Sequence, residues 1–226
     1  GSDGPTHHGL MDIGFLRMMP NIVLIAPAND VEMKLALEFA LNHSRPVVIR
    51  YPRDTVPSPK YVRAACAKPF VLGKSVTVKR STNSQIAIIS YGSLLSEALD
   101  AAATLASEGI GADVINARFA APADKKLVSL LKGGKSIITV EDHYLACGFG
   151  SALLEMSALN NPPEKRKTPK TAKSKSRANI RILGVPSALI RHDSRRAQLI
   201  DVGLNADKIV QTAKEMLDIA APRRRK

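Results

Sequence analysis

Three side chains carry the chemistry that this sequence offers: Asp3 and His7, both inside Asp3-Gly4-Pro5-Thr6-His7-His8-Gly9, and Arg53, which closes Arg50-Tyr51-Pro52-Arg53. Gly and Pro make the first stretch a poor helix or strand and a good polar loop, so its side chains are free to face a ligand. Arg can bind a dianionic phosphate through two parallel charge-assisted hydrogen bonds. Acid and imidazole groups can hold hydroxyls and move protons near neutral pH. Each residue has a plainer reading as well: an Asx turn for Asp3, a structural histidine for His7, an exposed loop arginine for Arg53. His8 reads as structural or supporting. For Glu141-Asp142 and for His192, lining an interdomain cleft competes with the commoner explanation, surface ion pairing.

The elements that must position these residues follow from periodicity. Ile22-Val23-Leu24-Ile25-Ala26, closed by Pro27, is the apolar run of a strand buried on both faces. Asn29 or Asp30 caps a helix whose apolar stripe runs through Val31, Leu35, Leu37, Phe39 and Leu41, and Val47 to Tyr51 is a second buried strand. Strand, helix and strand with short connections make a βαβ unit with parallel strands. Ligands of such sheets sit at the carboxyl ends of the strands, where Arg50 to Arg53 lie.

Residues 54–69 have no sustained period and read as a linker. Beyond them the alternation predicts strands at Ser75–Val78, Ile86–Ser90, Ala112–Ile115, Ser136–Val140 and Ile180–Leu183. Helices are predicted at Leu94–Leu105, Asp124–Leu131, Phe149–Leu159 and Asp207–Ile219. Repeated β and α units of this size predict a second, doubly wound α/β domain over residues 70–222 with a mostly parallel sheet. The stretch Asn160–Asn179 is far longer than the roughly 2 to 6 residues usual between a helix and a strand, and reads as a solvated loop without a catalytic role.

The net charge of +13 is unevenly placed. Residues 160–181 hold eight Lys or Arg against one Glu, and residues 223–226 are Arg-Arg-Arg-Lys, so the body of the chain is near neutral. Both basic stretches are too poor in apolar residues to form a core, and they lack aromatics on which bases could stack. Specific nucleic-acid binding is therefore not expected. No apolar run approaches the roughly 20 residues of a membrane span, and no signal segment opens the chain, so a cytoplasmic protein without a membrane partner is expected. Cys66 and Cys147 are too far apart for a metal or disulfide motif, and Cys147 reads as a packed thiol.

Taken in order, Asp-Gly-Pro-Thr-His-His-Gly at 3–9, Asp12, Leu16-Arg17, Pro20-Asn21 and Arg-Tyr-Pro-Arg at 50–53 resemble the 1-deoxy-D-xylulose-5-phosphate synthase family, thiamine-diphosphate enzymes of the transketolase superfamily. The resemblance continues through Thr139-Val140-Glu141-Asp142, Gly148-Phe149-Gly150 and Gly184-Val185-Pro186 to His192, nearly the whole chain apart from the 160–179 insert. Transketolases are similar at Asp-Gly-Pro-Thr-His but usually continue with Gln-Pro. Leu10-Met11, Asp54 and Asp193 depart from the synthase pattern; the last two stand where Gly is usual.

The resemblance implies that residues 1–53 are the C-terminal part of a pyrimidine-binding domain and that residues 70–222 are a transketolase C-terminal domain. It implies that Asp3, His7 and Arg53 contact the acceptor, glyceraldehyde 3-phosphate, with Arg53 on its phosphate. The whole enzyme would be a homodimer that joins pyruvate to this acceptor with loss of CO2. Its thiamine diphosphate and Mg²⁺ are held in the superfamily by Gly-Asp-Gly followed by an Asn, which this chain lacks, and the activating Glu lies upstream of the opening loop. The expectation is thus a C-terminal portion, inactive alone and binding no cofactor or metal. Alternatives are a transketolase or another two-carbon transferase, and a non-catalytic dimerisation or regulatory module.

Overall fold

The computed structural model describes residues 1–56, 67–133, 135–159 and 179–219. Most of the expected linker, the insert apart from Asn179, and the basic tail lie outside the described residues.

A 3-10 turn at Pro5–His7 and a short helix α1 (Asp12–Leu16) open the chain. Strand β1 (Val23–Ile25) leads into helix α2 (Asp30–Leu41), whose first turn is closed by Asn29 Oδ1 accepting from the Glu32 N–H at 2.9 Å. Strand β2 (Val47–Ile49) returns parallel to β1, pairing Val23 with Val47 and Ile25 with Ile49. The βαβ unit is thus present, with one correction. All of β1 is buried, but β2 is only half-buried, because it lies at the edge of its sheet.

The second sheet is built from β3 (Val76–Lys79), β4 (Ser84–Ser90), β5 (Gly111–Asn116), β7 (Ser136–Tyr144) and β8 (Ile180–Val185), in the order β3-β5-β4-β7-β8. Strands β5, β4, β7 and β8 are parallel, and β3 runs antiparallel at one edge. The helices are α3 (Leu95–Ser107), α4 (Lys125–Lys132), α5 (Phe149–Leu159), α6 (Arg195–Asp201) and α7 (Ala206–Met216).

Alternation along β4 divides the core. Ile86 and Ile88 face a cluster with Leu95, Ala98 and Leu105 of α3 and Ile209 and Ala213 of α7. Ala87 and Ile89 face the other side, with Leu127 and Leu131 of α4 and Phe149 and Leu153 of α5. Helices on both faces of a largely parallel sheet make the expected doubly wound α/β domain.

Besides the five-residue α1, two elements escape a periodicity reading. The three-residue strand β6 (Phe119–Ala121) leaves the second half of the chain and pairs antiparallel with β1, so the first sheet reads β2-β1-β6. Helix α6 is seven residues with no buried side chain, so it has no apolar stripe to read. The two halves also share a core, since Ile13, Leu24 and Ala26 join the cluster around Tyr91 and Phe149.

Candidate functional site

The opening loop, the segment after β2, the end of β7 and helix α6 enclose a cleft of about 570 Å³. Asp3, His7 and Arg53 all line it, beside His8, Asp12, Arg50 and Asp54; Asp142, Arg195 and Gln198 line it from the second half of the chain. It lies past the carboxyl ends of β2 and β8, where an open α/β sheet exposes strand ends to a ligand.

Local sequence sets the opening loop. Gly4 takes φ 84°, a value that suits glycine, and Pro5 then starts the turn that carries His7 into the cleft. Thr6 Oγ1 lies 2.9 Å from His7 Nδ1 and holds that side of the ring. Arg53 Nη1 donates to Asp3 Oδ2 at 2.5 Å, but the Arg53 side chain is 85% exposed. An ion pair so open to water contributes only about 0 to 1 kcal/mol, so an incoming dianion can take the guanidinium from Asp3 at little cost.

Deeper in the cleft is a network whose pairing the sequence did not reveal, although it offered cleft lining as one reading of Asp142. Arg50 Nε donates to Asp12 Oδ2 at 2.7 Å, Nη2 to the Asp142 carbonyl at 2.8 Å and to the Gly9 carbonyl at 3.2 Å, and Nη1 to Asp142 Oδ1. Arg195 donates through Nη2 to Asp142 Oδ2 and to Ser93 Oγ, both at 2.8 Å, and through Nη1 to Asp54 Oδ2 at 3.2 Å. Asp142 is thus gripped by two arginines. Burial alone would push its carboxyl up, yet Arg50 and Arg195 outweigh this and bring it down to about 2. Arg50 is likewise desolvated, but Asp142 and Asp12 more than offset the effect and hold it firmly cationic.

Behind Asp142, Glu141 is fully buried and accepts from the Phe149 N–H at 2.5 Å and the Gly150 N–H at 2.8 Å, capping α5 from a neighbouring strand. Burial drives its carboxyl up to about 7, although the Gly150 and Phe149 amides oppose the shift. Gly148 and Gly150 make this approach feasible: a Cβ on Gly148 would overlap the Glu141 carboxylate, and one on Gly150 would lie 2.6 Å from Thr139 Oγ1. His143 joins the halves of the chain. Its Nε2 accepts from the Gly14 N–H at 3.2 Å while Nδ1 donates to the Tyr144 carbonyl at 2.8 Å. Burial lowers its pKa, in keeping with a neutral ring that accepts a proton bond.

Surface ion pairing is therefore the wrong account of Glu141 and Asp142: the first is a buried helix cap, the second the centre of a half-hidden arginine cluster. His192 is exposed and lines a separate surface hollow with Arg191 and Asp193. Cys147 is also corrected, being exposed rather than packed, in a turn where it takes φ 60°. Arg50 had one available signal, its place at the carboxyl end of a strand. Arg195 had none, since it falls in a polar stretch without a motif.

Comparison with known proteins bears on the whole chain. Residues 74–209 match the model of the transketolase C-terminal domain. The chain belongs to the transketolase C-terminal domain family. Residues 1–59 match the transketolase pyrimidine binding domain. Among curated relatives of this transketolase-family chain, the 1-deoxy-D-xylulose-5-phosphate synthase of Heliobacterium modesticaldum is 34% identical over 221 residues, covering 96% of this chain and 31% of that protein. The synthase of Halothermothrix orenii is 41% identical over 162 residues, 71% of this chain and 25% of that protein. The chain thus spans about a third or less of the length of such relatives.

Solved structures agree on the fold. A split gene transketolase, described as an inactive β4 tetramer, superposes with TM-score 0.78 at 23% identity, covering 96% of this chain and 65% of that one. Transketolase from Campylobacter jejuni gives 0.67 at 19% identity, covering 95% of this chain and 29% of that one.

The family implies thiamine diphosphate in the whole enzyme, and among the described residues the cleft side chains do not fit a metal-bound diphosphate. Each acid in the cleft named above is engaged by an arginine: Asp3 by Arg53, Asp12 by Arg50, Asp54 by Arg195, and Asp142 by Arg50 and Arg195. Among the described residues no group of three His, Cys, Asp or Glu is placed to hold a metal ion. No carboxylate named in the cleft is thus left without an arginine partner to ligate a metal ion. Among the described residues, too, no helix is long and apolar enough to cross a membrane.

Proposed function

We propose that this chain is the C-terminal portion of a 1-deoxy-D-xylulose-5-phosphate synthase and that its cleft holds the phosphorylated acceptor. The parent enzyme joins pyruvate to glyceraldehyde 3-phosphate with loss of CO2, using thiamine diphosphate and Mg²⁺ bound by residues outside this chain. It works as a homodimer in the cytoplasm. The observation that carries the reading is the convergence of Asp3, His7 and Arg53 on one cleft beside a strand end.

Within the site, Arg53 exchanges its weak pair with Asp3 for the phosphate, where two charge-assisted bonds replace one. Asp3, once released, accepts from an acceptor hydroxyl, and His7 stands by to hold or move a proton at the sugar oxygens. The buried cations Arg50 and Arg195 are already neutralised by acids, so the exposed Arg53 is the guanidinium available to a ligand. The chain alone binds the acceptor weakly and does not decarboxylate pyruvate.

Titration of the 226-residue protein with glyceraldehyde 3-phosphate, followed by the His7 ring resonances, tests the site. Shifts that vanish in Arg53→Ala are expected; shifts indifferent to that change would overturn it. Micromolar thiamine diphosphate binding with Mg²⁺, measured by calorimetry, would overturn the assignment of the cofactor to residues outside this chain.

A further inference from the structure

Arg53 owes its place in the cleft to very little. Among the described residues its polar contact is with Asp3, itself half-exposed, so the side chain is directed mainly by the course of its own backbone. That course is fixed one residue later. Asp54 Oδ1 accepts from the Thr55 N–H at 2.7 Å, which orients the carboxylate, and Oδ2 accepts from Arg195 Nη1 at 3.2 Å.

We infer that Arg195, on the C-terminal-domain helix α6, is a positioning residue for the acceptor site: it ties the Arg53-bearing segment, through Asp54, to the buried Asp142 cluster. The inference rests on the acceptor-site reading above. Arg195 can do this because its planar guanidinium reaches three partners at once, Asp54, Ser93 and Asp142, and because its side chain is only 19% exposed, which limits competition from water. Asp142 in turn holds Arg50, which begins the same Arg-Tyr-Pro-Arg segment, so both ends of that segment are referred to one carboxylate. Ser93 belongs to the 3-10 turn that leads into α3, so the support comes from the body of the second domain. A shift of about 1 Å in a binding group is enough to lose much of its effect, so a residue that never touches the ligand can control its affinity.

The test uses the full-length protein carrying this segment, with Arg195→Ala, Asp54→Asn, the double variant, Arg195→Lys, and Arg53→Ala as reference. The KM for glyceraldehyde 3-phosphate should rise about five- to tenfold in each of the first two, with pyruvate KM and kcat within about twofold. The double variant should be no worse than the poorer single one, because both changes cut the same tie. Lys should recover only part of the loss, since an ammonium cannot span the three partners.

An acceptor KM unchanged in Arg195→Ala and Asp54→Asn while Arg53→Ala raises it, or additive losses in the double variant, would overturn the positioning role and leave the site reading standing. If Arg53→Ala is silent too, the site reading falls and this inference with it. Should Arg195→Ala fail to fold, Asp54→Asn, which alters a more exposed side chain on the loop, decides the matter alone.

Discussion

Arg118 Nε donates to Glu32 Oε1 at 2.7 Å across 86 residues of sequence, with 1% and 0% of the two side chains exposed. The pair ties helix α2 to the residue just before β6. Asn116 Nδ2 adds bonds of 2.9 Å to both Glu32 oxygens, and the Ala28 N–H adds another at 2.9 Å. The Arg118 guanidinium also sits 4.4 Å over the Phe70 ring. Removing Glu32 takes away the buried acceptor that all these donors share, so Glu32→Ala should destabilise the fold by about 3 to 5 kcal/mol. Urea unfolding of the 226-residue protein measures this, and a loss below about 1 kcal/mol would mean that the pair is not shut off from water as described.

Arg53→Ala in the full-length protein should lower kcat/KM for glyceraldehyde 3-phosphate by about one to two powers of ten, the worth of a charged hydrogen bond. Pyruvate KM should hardly move, because pyruvate carries no phosphate. Arg53→Lys should recover part of the loss. An equal rise in both KM values would remove Arg53 from the acceptor phosphate.

Glu141 and Asp142 are neighbours with opposite pH behaviour. For Glu141, burial lifts the folded-state pKa to about 7 from an ordinary 4.5, so the native state holds an extra proton between those values. Its contribution is fully present below 4.5 and is lost as pH rises through 7. Burial also opposes the charge of Asp142, but its two arginines bring it down to about 2 from 3.8; its contribution is present above 3.8 and is lost as pH falls through 2. Stability curves of wild type and Glu141→Gln should therefore diverge progressively between about pH 4.5 and 7, with wild type losing ground, by up to about 3 kcal/mol. Parallel curves across that window would show that Glu141 stays ionised in the folded protein.

Gly150→Ala tests the tight seat of α5 on the sheet. The added methyl would lie 2.6 Å from Thr139 Oγ1 and 2.7 Å from Ile182 Cγ2, so strand and helix must part. A loss of about 1 to 3 kcal/mol is expected. Thermal unfolding checks it, and an unchanged midpoint would mean the helix shifts freely.

What the sequence determined by itself was whatever depends on near neighbours. The apolar run of β1, a cap for α2 at Asn29 or Asp30 and the span of α5 at Phe149–Leu159 were legible because backbone hydrogen bonding and one-sided burial leave a period in the local sequence, and the structure decides the cap for Asn29. The motif residues Asp3, His7 and Arg53 were legible as polar groups in loops. Tertiary structure alone decided which strand ends meet. Arg50 and Asp142 are 92 residues apart, Asp142 and Arg195 are 53, and their contact depends on the order of β7 and β8 in one sheet and the docking of β6 on another. Strand β6 is too short for alternation to show, and α6 too polar for a stripe. A charge in sequence does not reveal its partner, because an ion pair is set by the packing that excludes water around it, and that packing belongs to the whole fold.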